Sequence, residues 1–254
     1  MNEISSFENH IVILGWSRRV ERIIRELRNE VHRSSNDLRP ILIVVPTPRA
    51  DIQSRFERVY FVYGHINDPE VLARAQIARA HTVLIPSLPI EDRSLDGEAV
   101  FSMLAALSVN SKARLCVELA NAENSEILEK IRKDVLTNPG IEIVSFETVA
   151  EFLLAQASVN PGITRVYSHL LSFSEDTNEL YVAELPSTWA QQSFQSLAHH
   201  CFDRGVIVFG FERDGQLQVN PTKRDVTLQP EDKIWFMALS KSDGMRAMAT
   251  GSRE

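Results

Sequence analysis

Short apolar runs alternate with amphipathic stretches over the first part of the chain. Between the runs, apolar residues recur at helical spacing, as at Val20, Ile24 and Leu27 after the first run. This alternation predicts an α/β fold in which residues 1–145 form a doubly wound parallel sheet. Runs of four or five mostly apolar residues are typical of strands buried on both faces of such a sheet, and they cover residues 11–14, 41–45, 59–63, 82–85, 115–119 and 141–144.

The pattern changes in the second part of the chain. A continuously apolar helix is predicted at about 148–159, and an Asn-Pro-Gly break follows it, so we assign residues 146–162 to a crossover helix and hinge. Beyond this break the signals are mainly those of strands, with a hairpin turn at 213–215. Residues 163–254 are therefore predicted to form a second, smaller α+β C-terminal lobe. Its predicted elements are strands at 179–183, 206–211, 217–219 and 233–238 and a helix at 192–200.

Two of the predicted helices, at residues 99–107 and 148–159, are apolar around almost their whole surface. A helix of this kind must be covered on more than one side. One interpretation is that both helices are well buried inside the molecule. The alternative is that a second subunit covers them, because a lobe of this architecture leaves the outer face of each helix exposed.

Composition narrows the class of protein. The chain has 254 residues, 44% hydrophobic and 24% charged, which is typical of a soluble globular protein with room for two lobes or for one large α/β domain. Its formal net charge of −7 argues against a nucleic-acid partner, because binding to a polyanion requires a basic surface. Two cysteines cannot form a secreted disulfide scaffold and fit a reducing compartment. The sequence has neither signal-peptide features nor an apolar run long enough to span a membrane, so any action on a membrane is expected from the cytoplasmic side.

The first strand-to-helix turn is the usual phosphate-binding position of a doubly wound sheet. Here it reads Gly15, Trp16, Ser17 and Arg18, whereas the turn that binds a dinucleotide needs three glycines. The second strand is followed by proline and threonine, so it also lacks the acid that would hold a ribose hydroxyl. NAD binding is therefore not expected.

Arginines offer another way to hold a phosphate at this turn. Arg18 and Arg19 begin the first predicted helix, and Arg49 follows the second strand. With the backbone of the turn, these side chains can bind the phosphate of a nucleotide electrostatically. The alternative is that the arginines form an ordinary solvated surface.

Three carboxylates are candidates for a calcium site. Asp96 and Glu98 lie at the start of a predicted helix, and Glu118 lies near the end of the fifth strand, so all three are expected at the same edge of the sheet. Calcium binds several oxygen ligands and usually two or more carboxylates. The alternatives are that Asp96 caps its helix and that Glu118 forms a salt bridge.

Signatures of catalysis are missing from the sequence. It contains neither the Gly-x-Ser-x-Gly turn of hydrolases nor a helical His-Glu-x-x-His. His199, His200 and Cys201 are consecutive on a predicted helix, where neighbouring side chains point about 100° apart and share a metal only with difficulty. The chain is therefore not expected to be an enzyme.

Several segments resemble one known family in their order and spacing. Residues 10–17 (HIVILGWS) resemble the opening of the RCK domains, the regulator of K+ conductance domains, of ligand-gated potassium channels. Residues 62–72 and 77–81 resemble the next signature of this family, and residues 179–182 and 228–234 resemble its C-terminal lobe. The spacing also resembles the Castor/Pollux type of ion channel. The resemblance covers almost the entire chain and implies a Rossmann-like first lobe.

The resemblance implies a cytoplasmic gating module for a pore that lies in the same or a separate chain. RCK domains pair into dimers through apolar helices, and the dimers assemble into an eight-membered ring below the pore. In calcium-gated members, the site uses an acid at the position of Asp96 and two acids on the fifth strand. Glu118 matches the first of these two, but Ala120 replaces the second. His65 is a further departure, because an aspartate often stands there.

Two other functions stay open at this point. One is a nucleotide-binding regulatory subunit of a K+ uptake transporter, although that family normally keeps the three glycines of the turn. The other is an NAD-dependent oxidoreductase, which the missing glycines and the missing acid make the weaker alternative.

Overall fold

The computed structural model describes residues 7–34, 38–47, 55–87, 95–134, 140–171, 177–221 and 226–249. The chain divides into two compact units. The first comprises residues 1–25 and 37–161, and the second comprises residues 26–36 and 162–254. Among the described residues, no helix combines the length and the apolar composition that crossing a membrane requires.

The first unit contains a six-stranded parallel sheet in the order β3-β2-β1-β4-β5-β6. The sequence-predicted α/β fold is therefore confirmed. Each strand lies at its predicted position, and only the last extends one residue further. The strands are β1 (Ile11–Leu14), β2 (Ile41–Val45), β3 (Val59–Tyr63), β4 (Thr82–Ile85), β5 (Leu115–Leu119) and β6 (Ile141–Ser145).

In the described part of the first unit, a helix follows each of β1, β3, β4, β5 and β6. Asp68 caps the second helix by accepting a hydrogen bond from the Glu70 N–H at 2.9 Å, and Pro69 occupies its first position. Val71, Met103 and Leu128, from the second, third and fourth helices, share one buried cluster with the strands and so pack on one face of the sheet. The helices are α1 (Arg18–Ser34), α2 (Pro69–Arg74), α3 (Leu95–Val109), α4 (Ala122–Asp134) and α5 (Phe146–Val159).

Helix α5 differs from the others because none of its residues is buried. It begins at Ser145, whose Oγ accepts a hydrogen bond from the Thr148 N–H at 3.2 Å. The interpretation that this apolar helix is buried inside the molecule is therefore wrong for the single chain. Helix α3 is intermediate: Met103 and Ala106 face the core, whereas Phe101 and Leu104 are exposed.

The second unit contains a four-stranded antiparallel sheet in the order β7-β10-β8-β9, which confirms the predicted α+β lobe. Asp214 and Gly215, with φ of 52° and 72°, form the predicted hairpin turn between β8 and β9. Helices α6 and α8 and two 3-10 turns were not predicted. The elements are α6 (Ile163–Leu171), β7 (Glu179–Glu184), α7 (Phe194–Phe202), β8 (Ile207–Arg213), β9 (Gln216–Val219), β10 (Lys233–Ala238) and α8 (Lys241–Ala249), with 3-10 turns at Ile77–Arg79 in the first unit and Ser187–Trp189 in the second.

A buried carboxylate organises the turn before β10. Asp232 is fully buried and accepts hydrogen bonds from Nε and Nη2 of Arg213, at 2.8 and 2.7 Å. It also accepts one from the Gln229 N–H at 2.8 Å. The segment that resembles the C-terminal lobe of the RCK family is thus a structural turn held by an ion pair.

Candidate functional site

The carboxyl ends of the parallel strands meet at one edge of the first unit, which we call the carboxyl edge. Strands β1 and β4 are neighbours there, but the chain leaves them in opposite directions, so the edge opens into a crevice between them. The cleft at this point is lined by Leu14, Ile66, Ile85, Pro86, Glu98, Ala99 and Ser102. The position is the usual ligand site of an open α/β sheet.

The turn after β1 is tight and mostly buried. Gly15 has φ of 100°, a left-handed conformation that favours glycine, and its N–H donates to the Val44 carbonyl at 2.9 Å. The Trp16 ring contacts that of Phe61, with 6.3 Å between the ring centroids. Ser17 is only 8% exposed, and its Oγ has no hydrogen-bond partner among the described residues.

The arginines of the predicted phosphate site differ in their surroundings. Arg18 is exposed at the start of α1, next to the turn. Arg19 instead forms an ion pair with Glu118 of β5. Arg49 lies outside the described residues. A phosphate site formed by Gly15, Trp16, Ser17, Arg18 and Arg49 therefore stays a prediction.

Glu118 uses both of its carboxylate oxygens within the first unit. Oε1 pairs with the Arg19 guanidinium, and Oε2 accepts a hydrogen bond from the Ser87 N–H at 3.0 Å. Its side chain is only 12% exposed. The alternative interpretation of Glu118 as a salt-bridged strand end describes this arrangement.

Asp96 is also occupied, but by different groups. It is 7% exposed and accepts hydrogen bonds from the N–H of Ala120 at 2.7 Å and of Asn121 at 3.1 Å, and from Asn124 Nδ2 at 2.7 Å. Asp96 therefore anchors the loop between β5 and α4, rather than capping its own helix. Ala120, where the RCK resemblance implies a second acid, supplies one of these amides.

The remaining predicted ligand, Glu98, lines the cleft at the carboxyl edge. Within the part of the chain that the structure describes, no three His, Cys, Asp or Glu side chains lie close enough to hold one metal ion. A calcium site at Asp96, Glu98 and Glu118 stays a prediction, and it would require Asp96 and Glu118 to exchange protein donors for the ion.

The turn after β3 shows why the second family signature has its sequence. Gly64 has φ of 149°, and a Cβ atom there would lie 2.3 Å from Cγ2 of Val71. The Asn67 N–H donates to Nδ1 of His65 at 3.3 Å, so the imidazole accepts the hydrogen bond that an aspartate would accept at this position. Ser102 of α3 donates to Oδ1 of Asn67 at 2.6 Å. This signature therefore ties the end of β3 to α3.

The cysteine and one of the consecutive histidines in the second unit pack against neighbouring side chains. Cys201 is fully buried, and burial raises the pKa of its thiol to about 11, so the thiol stays protonated and unreactive at neutral pH. The His200 ring meets the Trp189 ring edge-on, with 4.9 Å between centroids. These contacts are typical of a helix packed onto its core.

Two groups of large apolar side chains on the first unit remain exposed. The α5 surface consists of Phe146, Val149, Phe152, Leu154 and Val159. The α3–α4 surface consists of Phe101 and Leu104 on α3 and Ile127 and Ile131 on α4. Helix α6 of the second unit also has no buried residue, and it exposes Val166, Tyr167 and Leu171.

Comparison with known proteins shows that both parts of the chain match family models of channel proteins. Residues 6–117 match the family model of the calcium-activated potassium channel slowpoke-like RCK domain. Residues 147–252 match that of Castor and Pollux, part of voltage-gated ion channel.

Individual relatives are similar over most of this chain. The calcium-gated potassium channel TvoK of Thermoplasma volcanium is 24% identical over 244 residues, which are 93% of this chain and 64% of that protein. The probable ion channel POLLUX of Arabidopsis thaliana is 20% identical over 249 residues, which are 91% of this chain and 28% of that protein. This chain thus spans less than two thirds of the length of either relative.

A solved structure has the same fold. The human SLO3 gating ring superposes with a TM-score of 0.73 at 20% identity, covering 94% of this chain and 46% of that one. The parallel sheet and the separate antiparallel sheet agree with the two family models, so the chain has the fold of a gating-ring domain and is similar to RCK and Castor/Pollux domains over its two parts.

Proposed function

We propose that this chain is the ligand-sensing module that gates a potassium or other cation channel from the cytoplasmic side of the membrane, without catalysing a reaction. The similar proteins support this proposal, because they are a calcium-gated potassium channel, a probable ion channel and a gating ring. The module consists of an N-terminal lobe at 1–145, a crossover helix and hinge at 146–162, and a C-terminal lobe at 163–254. The pore belongs to the same polypeptide or to a partner.

The observation that carries the proposal is the apolar surface that the single chain leaves uncovered. Phe152 is 67% exposed and Leu154 is 74% exposed, on a helix with no buried residue. Burying apolar area is worth about 25 cal/mol per Å², so exposed aromatic and aliphatic side chains in such a group favour association. A second copy of the chain supplies the same surface, so a two-fold dimer buries both.

The α3–α4 surface supports a larger assembly than a dimer. It lies on helices other than α5, and one two-fold interface leaves the second surface free. Two different two-fold interfaces on each subunit, used alternately, close into a ring of dimers. This geometry supports the octameric gating ring that the RCK resemblance implies.

Sedimentation velocity of the wild-type chain and of matched variants tests the proposed assembly. We expect the wild-type chain to form dimers and larger species in sedimentation velocity as its concentration rises. Phe152→Glu is expected to abolish the α5 contact, whereas Phe101→Glu is expected to stop assembly at the dimer. Leu217→Glu is the control, because Leu217 is also exposed and apolar but lies on β9. The proposal would be refuted by a wild-type chain that stays monomeric, or by a Leu217→Glu variant that weakens self-association as much as Phe152→Glu does.

The ligand proposed for the carboxyl edge is calcium or a nucleotide. Calcium would use Asp96, Glu98 and Glu118, and a nucleotide phosphate would use Gly15, Trp16, Ser17, Arg18 and Arg49. The unpartnered Oγ of Ser17 supports the second alternative, because a buried hydroxyl gains most from a hydrogen bond. NAD is not proposed, since the turn lacks the glycines that bring the backbone close to a pyrophosphate.

Thermal unfolding distinguishes these ligands, because a ligand that binds only the native state raises the melting temperature. A rise with calcium that Glu118→Ala removes and Glu126→Ala leaves intact would support the carboxylate site. A rise with ATP or ADP that Arg18→Ala removes would support the phosphate site. No rise with calcium, ATP, ADP, NAD or NADH would refute both.

A further inference from the structure

We propose that Arg19 is a relay between Glu118 at the carboxyl edge and Phe146 at the start of α5. Loss of the Arg19–Glu118 ion pair then loosens the first turns of α5. The relay itself depends only on contacts within the first unit. Its consequence for assembly rests on the proposed function, in which α5 is the dimer helix.

Arg19 touches both ends of the relay. Its guanidinium pairs with Glu118 Oε1, and its Cζ lies 5.3 Å from the centroid of the Phe146 ring. The second distance is that of a cation–π contact, in which the flat guanidinium lies over the aromatic face. Because its side chain is half exposed, Arg19 can turn towards water once Glu118 releases it.

Glu118 is the fixed end of the relay. It is mostly buried, and the Ser87 N–H holds its second oxygen at 3.0 Å, so the loop after β4 fixes the direction of the carboxylate. Loss of the contact between the two side chains therefore acts first on the more exposed partner, Arg19.

Helix α5 is the responsive end because few contacts position it. Since none of its residues is buried, its first turn depends on polar contacts and on Arg19. Among the described residues, the polar contacts are the Ser145 cap and Glu147 Oε2, which accepts a hydrogen bond from the Ala122 N–H at 3.0 Å. An element with so few buried contacts opens locally at low cost. Removing one contact from this short set is therefore expected to change its local stability measurably.

Hydrogen exchange of the full chain tests the relay. Arg19→Gln and Glu118→Gln are each expected to raise exchange in the first two turns of α5 about two- to fivefold, the equilibrium change that a partly exposed cation–π contact corresponds to. Arg22→Gln is the matched control, since it removes the same charge from the exposed side of α1 one turn further on. It is expected to leave exchange in α5 unchanged.

Two further variants separate a relay from a general loss of stability. The double variant Arg19→Gln/Glu118→Gln is expected to exchange no faster than either single variant, because both remove the same link. Arg19→Lys keeps the ion pair but lacks the flat face. It should therefore raise exchange in α5 while the Ser87 amide stays protected. The relay would be overturned if the two single substitutions had additive effects on exchange in α5, or if exchange in α5 were as fast in Arg22→Gln as in Arg19→Gln.

Sedimentation of the same samples keeps the two proposals apart. If the chain self-associates and Arg19→Gln weakens association while Arg22→Gln does not, both proposals stand. If the wild-type chain does not self-associate but the exchange results hold, the assembly proposal fails and the relay stands. If the chain associates and exchange in α5 does not respond to Arg19→Gln, the relay is wrong and the assembly proposal stands.

Discussion

Replacing Asp232 with asparagine tests how the second unit is held together. The substitution keeps the shape of the side chain but removes the charge that Arg213 pairs with. It also turns one acceptor oxygen into an NH2 donor that faces other donors. Hydrogen bonding to Asp232 raises the pKa of Arg213. Without this carboxylate the guanidinium still stays charged at neutral pH, because arginine is not deprotonated in proteins, and it loses its partner.

The expected loss of stability follows from how deeply the Asp232–Arg213 ion pair is buried. Removing one partner of a buried ion pair typically costs about 3–5 kcal/mol. Asp232 is 0% exposed, but Arg213 is 27% exposed, so water can reach the orphaned guanidinium and compensate part of the loss. We therefore expect Asp232→Asn to lower the free energy of unfolding of the second unit by about 3 kcal/mol, the lower end of that range.

The assay is urea unfolding followed by tryptophan fluorescence in a Trp16→Phe background. The remaining tryptophans, Trp189 and Trp235, both lie in the second unit, so the signal reports on that unit. Glu212→Gln is the matched control, because its pair with Lys233 is partly exposed and worth about 0–1 kcal/mol. A cost for Asp232→Asn below about 1 kcal/mol, no larger than that of the control, would refute the reasoning.

Two further predictions concern the first unit. Gly64→Ala should lower the free energy of unfolding by about 1–3 kcal/mol, because it combines a positive φ with a contact of 2.3 Å to Val71. Gly97→Ala is the control and should not lower it, because a Cβ there meets nothing within 4 Å. Calorimetry of both variants measures the difference in stability. Burial lowers the pKa of His10 below its ordinary value of 6.5, although its hydrogen bond to the Ala75 carbonyl opposes the shift. The unfolded chain therefore binds the proton more readily, and stability should be complete above pH 6.5 and fall below it by at most about 1.4 kcal/mol per pH unit. A His10→Gln variant with the same slope in pH-dependent denaturation would contradict this assignment.

The sequence predicts the two sheets well because their signals are local. Each parallel strand is a short apolar run, and the turn at Asp214 and Gly215 has the residues that a tight hairpin requires. Helix α8 was missed because its helical pattern is mixed and contains Gly244. That glycine is needed there because a Cβ would lie 1.9 Å from the ring of Phe236. Such a constraint comes from tertiary packing and leaves no periodic signal.

The candidate site is predictable only as a location. The order of strands and helices alone places Asp96 and Glu118 at the carboxyl edge. The partners of these carboxylates depend on residues far apart in sequence. Arg19 and Glu118 are 99 positions apart, and no local pattern links them. The sequence offered Arg19 as a phosphate ligand, and its pairing with a carboxylate became visible only in the folded chain.

The two carboxylates differ in how readily they could bind a cation. Asp96 accepts two backbone N–H groups that fix the start of α4, so transferring it to an ion would disturb the loop that it anchors. Glu118 would lose mainly Arg19, whose guanidinium can move into water. If calcium binds at the carboxyl edge, Arg19 competes with it for Glu118. Arg19→Gln should therefore increase the rise in melting temperature that calcium produces, even though the variant is less stable without calcium. An equal or smaller rise than in the wild-type chain would mean that Glu118 is not a calcium ligand.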